Sequence, residues 1–254
     1  MPLAFSFLKS KPKPRAPDGE RLAAIGDIHG RLDLLDDLLA QLATLDEADG
    51  LQTRRIFLGD MVDRGPDTAG VVQRLIAERA SAGADHFLLG NHEQALLKFL
   101  DGAAGAEEWL EWGGLETAAS YGVAGVASKT PEELRRELGA AMPSEHLDFL
   151  RELELYVEHG DYLFVHAGVR PEVPLEEQSR DDMLWIRSTF HDAKEALPGK
   201  VVVHGHHPVR RPANHAGRIG VDTGAVHTGR LTAVVLEGDS RTFLTAEGPA
   251  SRAE

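Results

Sequence analysis

The sequence predicts an α/β fold in which helices pack outside two β-sheets. The first observation is a unit that occurs three times between residues 21 and 100, namely a short apolar run, a polar loop with glycine, and a helical stretch. Such alternation is typical of a sheet with helices packed on it. The second observation is that the last third of the chain consists of short apolar runs separated by turns. We therefore expect a second, more β-rich layer.

Each of the three units places a polar loop at the end of a strand. The strands and the helices that follow them are predicted at Arg21–Ile25 with Leu32–Leu42, at Arg55–Leu58 with Thr68–Arg79, and at His86–Leu89 with QALLKFL. Ligands of such sheets bind at the carboxyl ends of the strands. The loops GDIHGR, GDMVDRGPD and GNHE are therefore expected to meet in space.

Residues 101–150 are predicted to form a helical cap or insertion over the sheet. Pro131, followed by two glutamates, is a favourable helix start because proline suits the first turn and acidic residues favour the helix N-terminus. Trp109 and Trp112 are expected either in the core of this cap or along a substrate groove.

The β-rich part contains three groups of strands. LELYVEH and DYLFVHAG flank His159–Gly160 and predict a hairpin, and KVVVHGHHP predicts a buried strand that ends in histidines. RIGVDTGAV, RLTAVVLEG and RTFLTA predict a closing antiparallel sheet. We expect a single domain over residues 20–246, with a flexible basic tail at 1–19 and a flexible tail at 247–254.

Composition excludes several kinds of function. The chain of 254 residues has no cysteine, which removes disulfides, thiolate metal sites and cysteine nucleophiles. Its net charge of −14 disfavours nucleic acid as a partner and requires any phosphate site to supply local positive charge. No apolar run approaches the length of a membrane span. The N-terminus has no export signal, so a cytoplasmic location and no stable membrane association are expected.

The side chains after the predicted strands form a set of metal-ligating type. Carboxylates, imidazoles and one carboxamide without thiolate suit manganese, iron or zinc. Two carboxylates, one amide and three histidines are too many ligands for one tetrahedral ion, but they suit two metals that share a carboxylate. The residues that stand after the strands are Asp27, His29, Asp60, Asp63, Arg64, Asn91, His92, His166 and His206.

The motifs GDIHG, GDMVDRG, GNHE, HAG and GH within GHHP resemble the ordered signature of the calcineurin-like metallophosphoesterases. The likeness is greatest to the phosphoprotein phosphatase group, in particular the bacterial and lambda-phage-like serine/threonine phosphatases, and spans about Arg21 to Val235. The resemblance implies a four-layer α-β-β-α sandwich with a dimetal site at the strand ends.

Motif by motif, the resemblance also implies a role for each residue. Asp27 and His29 would bind the first metal, Asp60 would bridge, and Asn91, His166 and His206 would bind the second. His92 would be the general acid, oriented by Asp63, and Arg64 and Arg187 would bind phosphate together with Asn91. The implied cofactors are two divalent ions, with manganese expected and iron or zinc as alternatives.

Two positions depart from the family pattern. Ala167 stands where the family often has glycine, and His207 stands where it often has threonine. His206 is chosen as the ligand because it follows Gly205, as the motif requires. Whether His204 or His207 joins the metal site stays open at the level of sequence.

The resemblance implies phosphomonoester hydrolysis by in-line attack of a metal-bridging hydroxide. The expected substrate is a phosphorylated serine or threonine of a protein, with phosphotyrosine or another small phosphoester also possible. The first alternative is a diadenosine tetraphosphate hydrolase, because the same motifs occur there. The second is a non-catalytic metal-binding scaffold, which the intact set of ligands disfavours. The oligomeric state is not predicted.

Overall fold

The computed structural model describes residues 13–82 and 86–251. Within them the strands are β1 (Arg21–Ile25), β2 (Thr53–Phe57), β3 (His86–Phe87), β4 (Tyr156–His159), β5 (Tyr162–Val165), β6 (Val201–His204), β7 (Ala213–Asn214), β8 (Arg218–Gly220), β9 (Arg230–Glu237) and β10 (Ser240–Glu247). The α-helices are α1 (Leu32–Asp49), α2 (Thr68–Ala82), α3 (Asn91–Leu100), α4 (Gly114–Ser120), α5 (Pro131–Ala141), α6 (Ser144–Arg151), α7 (Arg180–Trp185), α8 (Ser188–His191) and α9 (Ala225–Thr228).

The first sheet has the strand order β10-β9-β1-β2-β3. β1, β2 and β3 run parallel, with Ile25 opposite Phe57 and Phe57 opposite Phe87. β9 pairs antiparallel with β1 and forms a hairpin with β10. Because the parallel strands end at the same edge, the three loops predicted to meet leave the sheet side by side.

The second sheet has the order β4-β5-β6-β8-β7. β5, β6 and β8 run parallel, whereas β4 and β7 pair antiparallel at the two edges. The hairpin expected around His159–Gly160 is therefore confirmed as β4 and β5. The loops after β5 and β6 are joined by a hydrogen bond from the Gly205 N–H to the His166 carbonyl at 2.8 Å.

The core lies in three apolar layers, which makes the fold the expected α-β-β-α sandwich. Ala23 and Ile25 of β1 face the helices α1 to α6, whereas Leu22 and Ala24 of the same strand face the second sheet. The outer face of the second sheet packs against α7 and α8, where Phe190 is fully buried. This alternation along β1 is the period of two that a strand buried on both faces requires.

Helix α1 is longer than predicted. The prediction ended it at Leu42, but the helix continues to Asp49 and stops at Gly50, whose φ of 77° is left-handed. The extension is polar but partly buried, because Asp46 Oδ1 accepts a hydrogen bond from the Thr53 N–H at 3.1 Å. Among the helices of residues 13–82 and 86–251, none combines the length and apolar character needed to cross a bilayer.

The prediction of a closing antiparallel sheet is wrong for one of its three strands. β9 and β10 form an antiparallel hairpin as predicted, but RIG of β8 belongs to the second sheet and pairs parallel with β6. The chain crosses from one sheet to the other between Val221 and Gly229, through the short helix α9. The turn DTG lies in this crossing and not in a sheet.

The cap predicted over residues 101–150 is helical, as expected. It consists of a 3-10 turn at Ala106–Trp112, helix α4, a second 3-10 turn at Val126–Ser128, and helices α5 and α6. Helix α5 begins at Pro131, as predicted, and Thr130 and Glu133 cap its N-terminus reciprocally. Trp109 is 1% exposed in the core of the cap, whereas Trp112 is half-buried.

The segments predicted as flexible tails reach into the folded domain. Residues 1–12 and 252–254 lie outside the described residues. Ala16 is buried and donates its N–H to the Gly238 carbonyl at 2.9 Å, and the Arg15 N–H donates to Asp161 at 2.8 Å. At the other end, the Ser251 N–H donates to the Val226 carbonyl at 2.9 Å. Residues on both sides of 20–246 thus contact the folded domain, those before it at the loops after β4 and β9 and those after it at α9.

We expect Phe164→Ala to lower the free energy of unfolding by about 3–5 kcal/mol, because the side chain is fully buried between the two sheets and its removal leaves a cavity. Chemical denaturation followed by tryptophan fluorescence measures the change. Tyr156→Ala, at an exposed position, is the control and should leave stability nearly unchanged. A loss below about 1 kcal/mol for Phe164→Ala would contradict a tightly packed interface between the sheets.

Candidate active site

The predicted site residues meet at one end of the two sheets. They come from the loops after β1, β2 and β3 of the first sheet and after β5 and β6 of the second. Almost all of them are buried although they are polar or charged, which in proteins requires specific partners. The buried residues are Asp27, His29, Asp60, Asp63, Asn91, His92, His166 and His206.

The backbone at this site adopts a conformation that residues other than glycine rarely take. Left-handed φ values occur at His29 (46°), Asp60 (50°), Asp63 (72°), Arg64 (66°) and His206 (62°). Such residues cost free energy and persist where the surrounding structure fixes them. Their concentration here indicates that the loops hold these side chains in place at a cost in backbone strain.

The first two loops touch each other through glycines. A Cβ on Gly65 would collide with the His29 carbonyl oxygen, and Gly30 lies against Gly65 with a φ of 64°. The Gly30 N–H donates to the Met61 carbonyl at 2.9 Å. This close approach of two backbones is what the glycines of GDIHG and VDRG allow.

Ligand atoms converge in two groups that share Asp60. One group is His29, Asp60 and His92, and the other is Asp60, His166 and His206; within each group the atoms lie within 4.8 Å of one another. Asp60 Oδ2 lies 3.7 Å from His29 Nε2, and Asp60 Oδ1 lies 3.5 Å from His166 Nε2. Asp60 therefore directs one oxygen towards each group, which is the arrangement expected of a bridging carboxylate.

The imidazoles are held as metal-ligating histidines commonly are. His29 Nδ1 lies 2.7 Å from the Val62 carbonyl and His166 Nδ1 lies 2.8 Å from the Leu58 carbonyl. Since a carbonyl accepts, each Nδ1 carries the proton and each Nε2 presents a lone pair towards Asp60. His206 Nε2 is buried and makes no hydrogen bond to a described group. These residues fit two cations.

The charge of Asp60 is favoured by its neighbours. Burial alone would raise the pKa of this carboxyl, but the imidazoles of His166, His92 and His29 outweigh burial and lower the pKa. The His206 imidazole behaves in the opposite way, because burial lowers its pKa to about 2. At neutral pH the site therefore presents an ionised carboxylate and a neutral imidazole, the forms that bind metal ions.

The grouping differs from the predicted ligand sets in two ways. His92, predicted as the acid, takes the place expected for Asp27 in the first group. Asp27 belongs to neither group, and its two oxygens accept the His206 N–H at 3.1 and 3.0 Å. The Asn91 side-chain amide lies 2.9 Å from His166 Nε2, beside the second group, where it was expected.

Arg64 lies in the centre itself. Its Nη1 donates to His29 Nε2 at 2.9 Å and its Nη2 donates to His92 Nε2 at 2.8 Å. The cap holds this residue, because the Arg64 N–H donates to the Gly113 carbonyl and Nε to the Trp112 carbonyl. The guanidinium thus supplies positive charge between the two imidazoles, and it would have to move outward for a cation to bind there.

Arg187 lies further out than the other predicted residues. It is exposed, just before α8, and its side chain makes no hydrogen bond or ion pair with a described residue. Its charge nevertheless reaches the centre, since it adds to the lowering of the pKa of His166 and of His206. The structure therefore places Arg187 at the rim of the site.

The family follows from these motifs together with a match along most of the chain. The profile of the calcineurin-like phosphoesterases matches residues 20–231. The chain belongs to the calcineurin-like phosphoesterase family. It is accordingly a hydrolase of the metallophosphoesterase type.

Relatives of this phosphoesterase carry two different names. The asymmetrical bis(5'-nucleosyl)-tetraphosphatase PrpE of Bacillus subtilis is 28% identical over 228 residues, which cover 82% of this chain and 87% of the relative. Serine/threonine-protein phosphatase 1 of Salmonella typhimurium is 28% identical over 214 residues, which cover 82% of this chain and 88% of that relative. A solved structure of a proposed diadenosine tetraphosphatase shares the fold, with a TM-score of 0.63, 21% identity, and coverage of 94% of this chain and all of that one.

Asp63 of the phosphoesterase has two partners that the sequence analysis missed. Its carboxylate accepts from His92 Nδ1 at 2.7 Å, from Trp109 Nε1 at 2.7 Å and from Thr117 Oγ1 at 2.6 Å. Burial alone would lower the pKa of His92, but Asp60 and the bond to Asp63 raise it. Trp109 and Thr117 belong to the cap, so no local motif in the sequence links them to Asp63.

Asp222 is a second residue that the sequence analysis missed. It is buried in the DTG turn, accepts the Gly224 N–H at 2.8 Å and faces Asp27. Burial, with added repulsion from Asp60, raises the pKa of Asp222 to about 6, and burial together with Asp222 raises the pKa of Asp27. Two adjacent buried carboxylates favour a cation next to Asp27. The short Asp-Thr-Gly turn was the available signal.

Glu93, in the GNHE motif, links two loops of the phosphoesterase. Its Oε1 accepts the N–H groups of Met61 (2.7 Å) and Val62 (3.1 Å), and its Oε2 accepts those of Asp60 (2.9 Å) and Gly90 (2.9 Å). The side chain is fully buried, and burial raises its pKa to about 7. Glu93 therefore fixes the loop that carries Asp60 to the start of α3.

We expect Glu93→Gln to weaken metal binding by about 10–100-fold and to lower stability by about 2–4 kcal/mol. Glutamine turns an N–H donor towards backbone N–H groups that need an acceptor, so the loop around Asp60 would shift. Equilibrium dialysis with manganese and thermal unfolding measure the two effects. Glu133→Gln is the matched control, because Glu133 caps α5 in a capping box of the same kind at a half-buried position away from the site. Unchanged metal affinity in Glu93→Gln would contradict this role.

Proposed function

We propose that this phosphoesterase hydrolyses dinucleoside polyphosphates at a centre of two divalent metal ions. The observation that carries the two-ion centre is the position of Asp60, which lies 3.7 Å from His29 Nε2 through one oxygen and 3.5 Å from His166 Nε2 through the other. A carboxylate with one oxygen towards each histidine group suits a pair of ions about 3.5–4 Å apart.

The residues that would hold the ions come from all five loops, and manganese is the proposed metal. Imidazole and carboxylate ligands also suit iron and zinc. When bound, the ions would supply a water of lowered pKa as nucleophile and would offset the negative charge of the phosphate. The first ion would be held by Asp27, His29 and Asp60, and the second by Asp60, Asn91, His166 and His206.

His92 is the proposed general acid for the leaving oxygen. Its Nδ1 is held by Asp63 at 2.7 Å, which leaves Nε2 directed into the centre. Asp60 and Asp63 raise the pKa of His92 against the effect of burial, which favours a ring that can take up and donate a proton at Nε2 once Arg64 no longer donates to that atom. Because Trp109 and Thr117 also donate to the Asp63 carboxylate, its position is fixed and it keeps the His92 ring in one orientation.

Two arginines are proposed to bind the phosphate. Arg64 reaches the centre from the cap side, and Arg187 stands at the rim. The planar guanidinium fork matches two phosphate oxygens. If Arg64 moved to bind a phosphate, it would no longer donate to His29 Nε2 and His92 Nε2. His29 Nε2 would then be available to the first ion, so phosphate binding by Arg64 and metal binding by His29 are compatible.

A groove beside the centre favours nucleotides as substrates. It has a volume of about 210 Å³ and is lined by Trp112, Trp185, Lys98 and Gln94. The ring centres of the two indoles lie 5.5 Å apart. The ring centre of Trp112 lies 6.4 Å from that of His92, and the ring centre of Trp185 lies 6.2 Å from that of His206. Aromatic faces suit a base, and an exposed lysine beside them suits a further phosphate of a polyphosphate chain. The likeness to the PrpE tetraphosphatase supports the same substrate class.

A phosphoprotein is the second candidate substrate, and it was the first expectation from the sequence. The observation in its favour is Arg187, which is exposed and without an ion pair among the described residues, so a phosphate on a protein loop would reach it. The relative named serine/threonine-protein phosphatase 1 has the same 28% identity as the PrpE relative. Manganese as the metal, a cytoplasmic location and the absence of a nucleic-acid partner stay predictions.

We expect His92→Asn to reduce kcat by about 10²–10⁴-fold with both ions retained, which is the usual contribution of acid–base catalysis. The loss should be larger for phenyl phosphate than for para-nitrophenyl phosphate, because the poorer leaving group needs the proton more. Steady-state rates and metal analysis of the same samples measure both effects. His227→Asn, an exposed histidine, is the control. Loss of one ion with His92→Asn would identify His92 as a ligand instead.

We expect Trp112→Ala to raise KM for diadenosine tetraphosphate by about 10-fold, since stacking on one base contributes about 1–3 kcal/mol. Turnover of para-nitrophenyl phosphate, which has no base, should change little. Tyr156→Ala, an exposed aromatic residue outside the groove, should change neither. Rapid hydrolysis of a phosphoserine peptide, with slow hydrolysis of the dinucleotide by the unaltered protein, would favour the second candidate.

A further inference from the structure

The histidine-rich stretch VVVHGHHP divides between two sites. His206 faces the dimetal centre, whereas His204 and His207 belong to neither of its ligand groups. His204 ends β6 and contacts Phe190 and His191 of α8, at ring distances of 5.0 and 5.2 Å. The His207 ring lies against that of His191, with ring centres 4.4 Å apart and planes tilted by 38°. Three histidines thus gather on the outer side of the second sheet.

Each of these three imidazoles has a nitrogen for which the protein offers no partner. His191 Nε2, His204 Nε2 and His207 Nδ1 are shielded from solvent and make no hydrogen bond with any described residue. His204 is 2% exposed, and its Nδ1 lies 3.0 Å from the Gly205 carbonyl. Nδ1 therefore carries the proton, and Nε2 is a buried lone pair, which is the form of histidine that binds metals.

The dimensions are close to those of a three-histidine site. Two imidazoles bound to one zinc ion at about 2.0–2.1 Å have ring centres roughly 5 Å apart. His191 lies at about this distance from both other rings, although His204 and His207 make no ring contact with each other in the described structure. The ligand atoms of the three histidines do not all lie within 4.8 Å of one another, so the half-buried His207 would have to turn for all three to reach one ion.

Three charged side chains act on the cluster. Arg218 lies close enough to act on His191 and His204, and its Nη1 donates to the Ala193 carbonyl at 2.8 Å. Asp192 follows His191 directly and offsets one positive charge. Arg187 supplies a second positive charge, but it is exposed, so solvent screens its effect on a cation bound at the cluster.

We propose that His191, His204 and His207 form a third metal site, separate from the dimetal centre, that takes a borderline transition metal ion such as Zn²⁺. Neutral imidazoles without carboxylates favour such ions over magnesium or calcium. The site would join α8, which follows Arg187, to the loop that carries His206. The bound ion would stabilise the packing of α8 against that loop and would take no part in the reaction.

Bound zinc per chain, measured by equilibrium dialysis and elemental analysis, tests the proposal. We expect three ions in the unaltered protein, two in His191→Ala, and one in Asp60→Asn, which lacks the shared carboxylate of the dimetal centre. The protein that carries both Asp60→Asn and His191→Ala should bind no zinc. His227→Ala is the matched control and should bind three, since His227 is exposed and outside the cluster.

Cobalt provides an independent signal. In Asp60→Asn, added Co²⁺ should produce visible absorption typical of a tetrahedral site, and His191→Ala in the same background should abolish it. His207→Thr, a milder change at the surface, replaces His191→Ala if the latter fails to fold. Equal zinc content in the unaltered protein, His191→Ala and His207→Thr would overturn the proposal, as would Asp60→Asn protein that binds no ion.

Discussion

The carboxylate of Glu93 is the interaction on which the site depends most. Four backbone N–H groups from two loops, at Gly90, Asp60, Met61 and Val62, converge on its two oxygens. These donors have no secondary structure to satisfy them, and a buried unpaired N–H is costly. By accepting them, Glu93 stabilises the left-handed backbone at Asp60 and lets this side chain direct one oxygen to each side.

The two sheets contribute differently to the centre. The first sheet supplies carboxylates, His92 and an arginine on loops of which two touch through Gly30 and Gly65, and the second supplies His166 and His206. Because the apolar layer between the sheets fixes their separation, the distance between the two ligand groups is a property of core packing. The His206 N–H bond to Asp27 joins the two halves directly.

The sequence was sufficient to predict the α/β class, the first-sheet strands and the residues that converge, because each motif combines a strand, a turn and a ligand within a few positions. It was insufficient for contacts that arise only when distant segments meet. Trp109 reaches Asp63 across 46 positions, and Asp222 faces Asp27 from the far end of the chain. The assignment of β8 failed for the same reason, since strand pairing depends on the other sheet and not on local pattern.

The 3-10 turn at Ala106–Trp112 contributes both to the orientation of His92 and to the lining of the groove. Trp109 supports the carboxylate that orients His92, and three positions later Trp112 lines the groove. A change that moves this turn as a whole therefore alters both the groove and the orientation of His92, whereas loss of the Trp112 side chain alone leaves the Trp109–Asp63 hydrogen bond in place. Substrate preference and catalytic rate are consequently linked during evolution, so a lineage that changes its substrate must either preserve the Trp109–Asp63 hydrogen bond or pass through slow intermediates.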